Sequence, residues 1–176
     1  MKAGILCAQS LEECEALVVY DLLFRAGIDV KLVGLDKVIT SSHNVTFNAH
    51  LTIDEFETKD YDCLILPGGM PGTLNLEANK DVQRLIDEFV QADKYVCAIC
   101  AAPSILNHKG LLKEGKFICF PSFECGLKPA DNCKVFVDGK IITGKGMGAA
   151  IEFSYEIIKA LIDENKAKEI LAKIQY

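Results

Sequence analysis

Residues 95–108 read Tyr95-Val96-Cys97-Ala98-Ile99-Cys100-Ala101-Ala102-Pro103-Ser104-Ile105-Leu106-Asn107-His108. Tyr95–Ile99 is a short apolar run of strand type, and Ala102–His108 reads as a helix, so strand gives way to helix across Cys100. Small residues after the cysteine allow a sharp turn, and Pro103 suits the first turn of the helix. This is the logic of a nucleophile elbow, which exposes one side chain above the end of a sheet. A thiol at a helix N-terminus is expected to have a lowered pKa, because the macrodipole and free N–H groups stabilise its thiolate. The bland alternative is a cysteine buried like its neighbours.

On either side, short apolar runs alternate with longer amphipathic ones, the pattern of a parallel sheet covered by helices. Ala3–Cys7, Val30–Val33 and Cys63–Leu66 read as strands before the elbow, and 117–120, Val135–Val137 and Ile141–Thr143 as strands after it, the last two joined by an Asp138-Gly139 turn. Helices are expected over 12–26, with Gly27 as the stop, over 79–92 behind an Asn79 cap, and over 148–163 and 166–174. Around the turn cluster Ser41-Ser42-His43-Asn44, residues 37–40 and 45–47 suggest a hairpin. No repeat, low-complexity segment or linker breaks the 176 residues, which read as one α/β domain of the doubly wound kind, with a mostly parallel central sheet.

Composition narrows the function. A net charge of −6, from 19 Lys and Arg against 25 Asp and Glu, disfavours nucleic-acid binding, which needs a net-basic face. The apolar start Met1–Cys7 is too short for a membrane span or a signal peptide, so a cytoplasmic protein is expected, with its eight cysteines reduced. Cys97 and Cys100 match C-x-x-C, but Cys97 falls inside a strand. Three extended residues hold the sulfurs roughly 10 Å apart, so neither a redox pair nor a metal site is expected. The loop Pro67-Gly68-Gly69-Met70-Pro71-Gly72 has neither phosphate-loop spacing, and Gly144-Lys145-Gly146-Met147-Gly148 reads as a tight turn before a helix. No cofactor is expected.

In such sheets, ligands gather beyond the carboxyl ends of the strands. Three segments arrive there: the turn into Glu12-Glu13-Cys14-Glu15, the Gly68-Gly69 loop, and Cys100. Glu12 and Glu13 are accounted for by the first turn of a helix, which favours acidic side chains. Glu15, by contrast, is surrounded by Leu11, Ala16, Val18 and Val19; a carboxyl buried there has a raised pKa and can stay protonated to donate a hydrogen bond to a thiolate. Gly68 and Gly69 can bring backbone N–H groups close to a substrate oxygen.

Together these residues resemble the DJ-1/PfpI (ThiJ) superfamily, in particular its DJ-1/YajL branch. The likeness runs through Glu12-Glu13-Cys14-Glu15 with Arg25-Ala26-Gly27, Leu66-Pro67-Gly68-Gly69, Ala98–Pro103, and Thr143-Gly144-Lys145-Gly146 with Glu152-Phe153. It implies a flavodoxin-like three-layer sandwich that forms a homodimer. Cys100 would be the nucleophile, Glu15 its protonated partner, and the N–H groups of Gly69 and Ala101 an oxyanion site, with Gly68, Phe120 and Pro121 lining the pocket. One position departs: in Ile118-Cys119-Phe120-Pro121, Phe120 stands where members with a catalytic histidine carry it. PfpI-type proteases place histidine directly after the cysteine, where this chain has Ala101. His43, His50 and His108 match neither position, which weakens a protease reading.

The resemblance implies cofactor-independent glyoxalase or deglycase chemistry on small 2-oxoaldehydes such as methylglyoxal, with a role in oxidative and carbonyl stress. The alternative is a non-enzymatic redox sensor or holding chaperone whose Cys100 oxidises to sulfinic acid. A third is an inactive member kept for its dimer. Cys14 and Cys125 are candidates for a resolving thiol.

Overall fold

The computed structural model describes residues 1–176. Its elements run β1 (Lys2–Cys7), α1 (Glu13–Arg25), β2 (Asp29–Gly34), β3 (Val38–Thr40), β4 (Thr46–Asn48), β5 (Leu51–Thr52), β6 (Cys63–Leu66), α2 (Gly72–Ala78), α3 (Lys80–Gln91), β7 (Tyr95–Ile99), α4 (Pro103–His108), β8 (Val135–Asp138), β9 (Ile141–Gly144), α5 (Ala150–Leu161) and α6 (Glu164–Lys173), with short 3-10 turns between some of them. Seven strands make one sheet in the order β5-β2-β1-β6-β7-β9-β8. Every pairing in it is parallel except that of β8 with β9. The remaining two strands, β3 and β4, pair as a separate antiparallel hairpin.

Period-2 alternation sorts the strand side chains onto two faces. Ala3, Ile5, Cys7, Ile65, Cys97 and Ile99 join α1, α5 and α6 in one core; Leu6, Leu64, Leu66, Val96 and Ala98 join α3 and α4 in the other. Because both faces are covered, the central strands are apolar at nearly every position, as buried parallel strands must be. The result is the mostly parallel, three-layer α/β sandwich read from the sequence.

One local expectation needs correction, and two elements were not read from the sequence. The expected strand at 117–120 does not form, because β9 already occupies the free edge of β7. Its backbone is held piecemeal: the Ile118 N–H donates to Thr143 Oγ1 at 3.0 Å and Phe117 C=O accepts from Ala130 at 2.7 Å. Beyond the Pro67–Pro71 loop, Gly72–Ala78 is helical, and Asn79 both ends it and caps α3 with Oδ1 accepting from the N–H groups of Asp81 and Val82. The two-residue strand β5 was not anticipated either; it pairs with the end of β2 at the sheet edge.

Candidate active site

Strand β7 delivers Cys100 to the carboxyl end of the sheet, and the chain turns there at once. Cys100 has φ +66°, a left-handed conformation that costs a non-glycine residue about 1 kcal/mol or more. The surroundings fix it: its N–H donates to Gly144 C=O at 2.9 Å, and its C=O accepts from Phe120 N–H at 2.8 Å. Ala101 and Ala102, the residues that follow, are buried. The side chain of Cys100 stays partly accessible, whereas Cys7, Cys63, Cys97 and Cys119 are buried. Cys97 turns away from it, with its Sγ 3.5 Å from that of Cys63, so the C-x-x-C spacing joins no pair.

Glu15 lies on the third residue of α1 and is fully buried. Its Oε2 accepts the Gly68 N–H at 2.8 Å, while Oε1 has no partner. Burial pushes the carboxyl up to about 7, against the opposing pull of the Cys100 side chain and the Gly68 N–H. A proton on Oε1 therefore spares the site a buried, unpartnered anionic oxygen and gives Glu15 a donor to offer the sulfur.

The expected lowering of the thiol pKa is not what this site produces. Burial, followed by the charge of an ionised Glu15, pushes the Cys100 thiol up to about 12, while the N–H groups of Gly69 and Ala101 pull the other way. Helix α4 spans only six residues, too short for its dipole to outweigh desolvation. Glu15 decides the balance. With the proton on Glu15 that repulsion disappears and the carboxyl becomes a hydrogen-bond donor to the sulfur; with the proton on sulfur, the thiol donates to the carboxylate, so the two side chains share one proton.

The glycines make this proximity possible. A Cβ on Gly68 would lie 2.7 Å from Cys100 Cβ and 2.8 Å from Glu15 Oε2. Gly69 has φ +91°, and a Cβ there would lie 2.3 Å from the Glu12 backbone nitrogen. That nitrogen donates to Gly68 C=O at 3.0 Å, tying the start of α1 to the loop after β6. The turns after β1, β6 and β7 thus meet, and Cys100, Glu15, Gly68, Gly69 and Ala101 form one cluster.

Phe120 and Pro121 stand beside it, on the wall of a groove that also includes Gly146 and Met147. The sequence reading gave Gly146 only a turn; in the fold, a Cβ there would lie 3.9 Å from Cys100 Sγ. The sequence signal at this position is the Gly144, Gly146, Gly148 spacing, which matches no phosphate loop but leaves Gly146 without a side chain beside the sulfur. The histidines are engaged elsewhere: His43 with Glu13, His108 with Glu77, and His50 accepting the Leu32 N–H. Cys14 adjoins the acidic first turn of α1, and Cys125 lies by Glu77 and Glu124. Outside the cluster, Glu12, Glu13 and His43 offer ligand-type atoms within 4.8 Å of one another, at the surface.

The comparisons with known proteins point the same way. Protein DJ-1 homolog B of Arabidopsis thaliana is 30% identical over 175 residues; the alignment takes in 96% of this chain but 40% of that protein, so the chain spans less than half its length. The glutathione-independent glyoxalase DJR-1.2 of Caenorhabditis elegans is 28% identical over 173 residues, covering 95% of this chain and 91% of its own. The solved structure of oxidized Toxoplasma gondii DJ-1 superposes with a TM-score of 0.93 at 31% identity, covering 99% of this chain and 98% of that one. The DJ-1/PfpI family model matches residues 1–160. With the elbow cysteine, the buried glutamate and the diglycine turn in the arrangement this likeness implies, the chain belongs to the DJ-1/PfpI family.

Proposed function

We propose that the protein is a cofactor-independent glyoxalase, acting on 2-oxoaldehydes through Cys100 and Glu15, with early glycation adducts of proteins as related substrates. The observation that carries this is the buried Glu15 carboxyl, with an orphaned Oε1 and a pKa near 7, set against a cysteine held at positive φ. The nematode relative named a glutathione-independent glyoxalase supports the same reading.

The thiolate adds to the aldehyde carbon, forming a C–S bond, and the carbonyl oxygen takes the proton from Glu15, giving a hemithioacetal. Glu15, now a carboxylate, removes the proton on that carbon and returns it to the neighbouring ketone carbon, while the hydroxyl proton passes from the first carbon's oxygen to the ketone oxygen, leaving a thioester and a hydroxyl. Water then cleaves the C–S bond, its oxygen entering the carboxylate, and the released proton restores the pair. One carbon is oxidised and its neighbour reduced, so the sum of 2-oxoaldehyde and water to 2-hydroxy acid needs no outside oxidant. The N–H groups of Gly69 and Ala101, which face the sulfur, are placed to stabilise negative charge at the reacting centre. Phe120 carries no proton, so every transfer falls on Glu15 and slow turnover is expected.

The test is lactate formation from methylglyoxal, without glutathione, by the unmodified protein and by Cys100→Ser and Glu15→Gln. Loss of activity in both variants supports the mechanism; full activity in Glu15→Gln overturns it.

A second reading, redox sensing with chaperone function, is favoured by the same N–H groups, which would cradle sulfinate oxygens on Cys100 with Glu15 as donor. A homodimer is proposed as its working form, on the exposed aromatic face of α1, where Phe24 is 63% exposed and stacks on Tyr20. A cytoplasmic setting, in which the chain's eight cysteines would stay reduced, is proposed with it. No helix is long and apolar enough to cross a membrane.

A further inference from the structure

The space beside Cys100 is larger and more apolar than a three-carbon aldehyde requires. The groove holds about 570 Å3 and is walled by Phe120, Pro121, Gly146, Met147 and Ala149, with Lys134 and Lys145 at its edge. That falls within the roughly 300–1,000 Å3 of sites that take drug-sized organic molecules. Gly146 forms the neck. A Cβ there would lie 3.3 Å from Phe120 Cδ2 as well as 3.9 Å from Cys100 Sγ, so the absent side chain keeps sulfur and groove connected. The backbone at Gly146 is extended, with φ 161°, which any residue can adopt; space, not conformation, is what glycine supplies.

The walls also match a particular shape. Phe120 is 48% exposed and Met147 55%, leaving an aromatic face and a thioether uncovered. Both make favourable contacts with a further aromatic ring. A methyl group would leave most of this surface hydrated. Charge adds a direction: Lys134 is bound by Glu152, while the exposed Lys145 is left to attract an anion such as a 2-hydroxy acid.

Resting on the glyoxalase reading, we propose that the substrates of this site are aromatic 2-oxoaldehydes, whose ring lies against Phe120 and Met147 while the aldehyde carbon meets Cys100. Phenylglyoxal and water then give mandelate and a proton, by the same internal oxidation and reduction as above. Burying about 50 Å2 of one ring face against this wall at about 25 cal/mol per Å2 corresponds to a gain of about tenfold.

The test compares kcat/KM for phenylglyoxal and methylglyoxal, read as mandelate and lactate. Selectivity for phenylglyoxal of about tenfold is expected, reduced several-fold in both Phe120→Ala and Met147→Ala. Methylglyoxal turnover with no aromatic preference, or a preference that both variants retain, overturns the inference and leaves the glyoxalase reading intact. If neither aldehyde is consumed, the glyoxalase reading fails, and binding of mandelate against lactate to the same proteins decides the groove. Tighter mandelate binding that weakens in Phe120→Ala supports an aromatic site; equal binding of the two acids overturns it.

Discussion

Replacing Glu15 by Gln should make the protein more stable at alkaline pH while removing its activity. Burial raises the Glu15 carboxyl from 4.5 to about 7. The unfolded chain releases this proton near 4.5 and the folded chain near 7. Between those values the folded state binds more protons, so stability falls as pH rises and the loss is complete above about 7. At 1.36 kcal/mol per pH unit, a rise of about 2.5 costs about 3 kcal/mol. Glutamine keeps an oxygen for the Gly68 N–H at 2.8 Å but cannot ionise. The difference in urea-unfolding free energy between Glu15→Gln and the parent should therefore grow by about 3 kcal/mol from pH 4.5 to pH 8. At about 2–4 °C per kcal/mol, Tm at pH 8 should rise by about 6–12 °C. Titrating groups other than Cys100 are common to both proteins and cancel in the comparison, and repeating it in a Cys100→Ser background removes the thiol from both sides. A stability difference that stays constant with pH would refute the claim that Glu15 is a buried, protonated carboxyl, and the mechanism built on it would go too.

Four other outcomes follow from the same geometry. For methylglyoxal, kcat/KM should rise with pH through about 7, where the pair loses its first proton; a flat profile from about pH 5 to 9 removes the pair from the rate-determining chemistry. Gly68→Ala forces a Cβ to 2.7 Å from Cys100 Cβ; it should cost about 1–3 kcal/mol by urea denaturation and most of the aldehyde activity. Brief peroxide treatment followed by peptide mass spectrometry should find two added oxygens on Cys100 before the exposed Cys125, with the order lost in Glu15→Gln. Asn79→Ala removes the Oδ1 acceptor for Asp81 and Val82 and should cost about 1 kcal/mol by thermal unfolding, without changing activity.

Strand-by-strand, the sheet was legible because buried parallel strands are short apolar runs, and Cys63–Leu66 and Tyr95–Ile99 show no polar interruption. Cys100 and Glu15 stood out for local reasons, a strand-to-helix junction and a carboxylate among apolar neighbours. What stayed hidden depends on contacts distant in sequence. Residues 117–120 have strand composition, yet their place beside β7 is taken by β9, whose residues follow some 20 positions later. Gly146 shows its meaning only when β9 brings it opposite the sulfur. The thiol pKa went astray because a helix-start argument considers α4 alone, whereas the charge that matters belongs to Glu15 on α1, 85 residues earlier in the chain.

That long-range pairing explains how a thiol pushed up to about 12 can serve as a nucleophile. Burial penalises any charge in the cluster, and two charges far more than one. The cluster therefore holds at most one negative charge near neutral pH, and geometry assigns it. Oε2 of Glu15 already has the Gly68 N–H, whereas its Oε1 has nothing unless it carries a proton. The sulfur is offered two N–H groups, from Gly69 and Ala101, once it is ionised. Protonating Glu15 adds a donor beside a thiolate that two N–H groups already face, whereas a protonated thiol donates to the carboxylate and leaves those N–H groups without an anion. A histidine at position 120 would add a second proton carrier; a phenylalanine there leaves the assignment to Glu15 alone and spends the position on apolar surface facing the groove. On the proposed glyoxalase reading, chemistry and selectivity would be divided between two walls of one site, with the carboxyl on α1 moving protons and Phe120 and Met147 selecting what is presented to the sulfur.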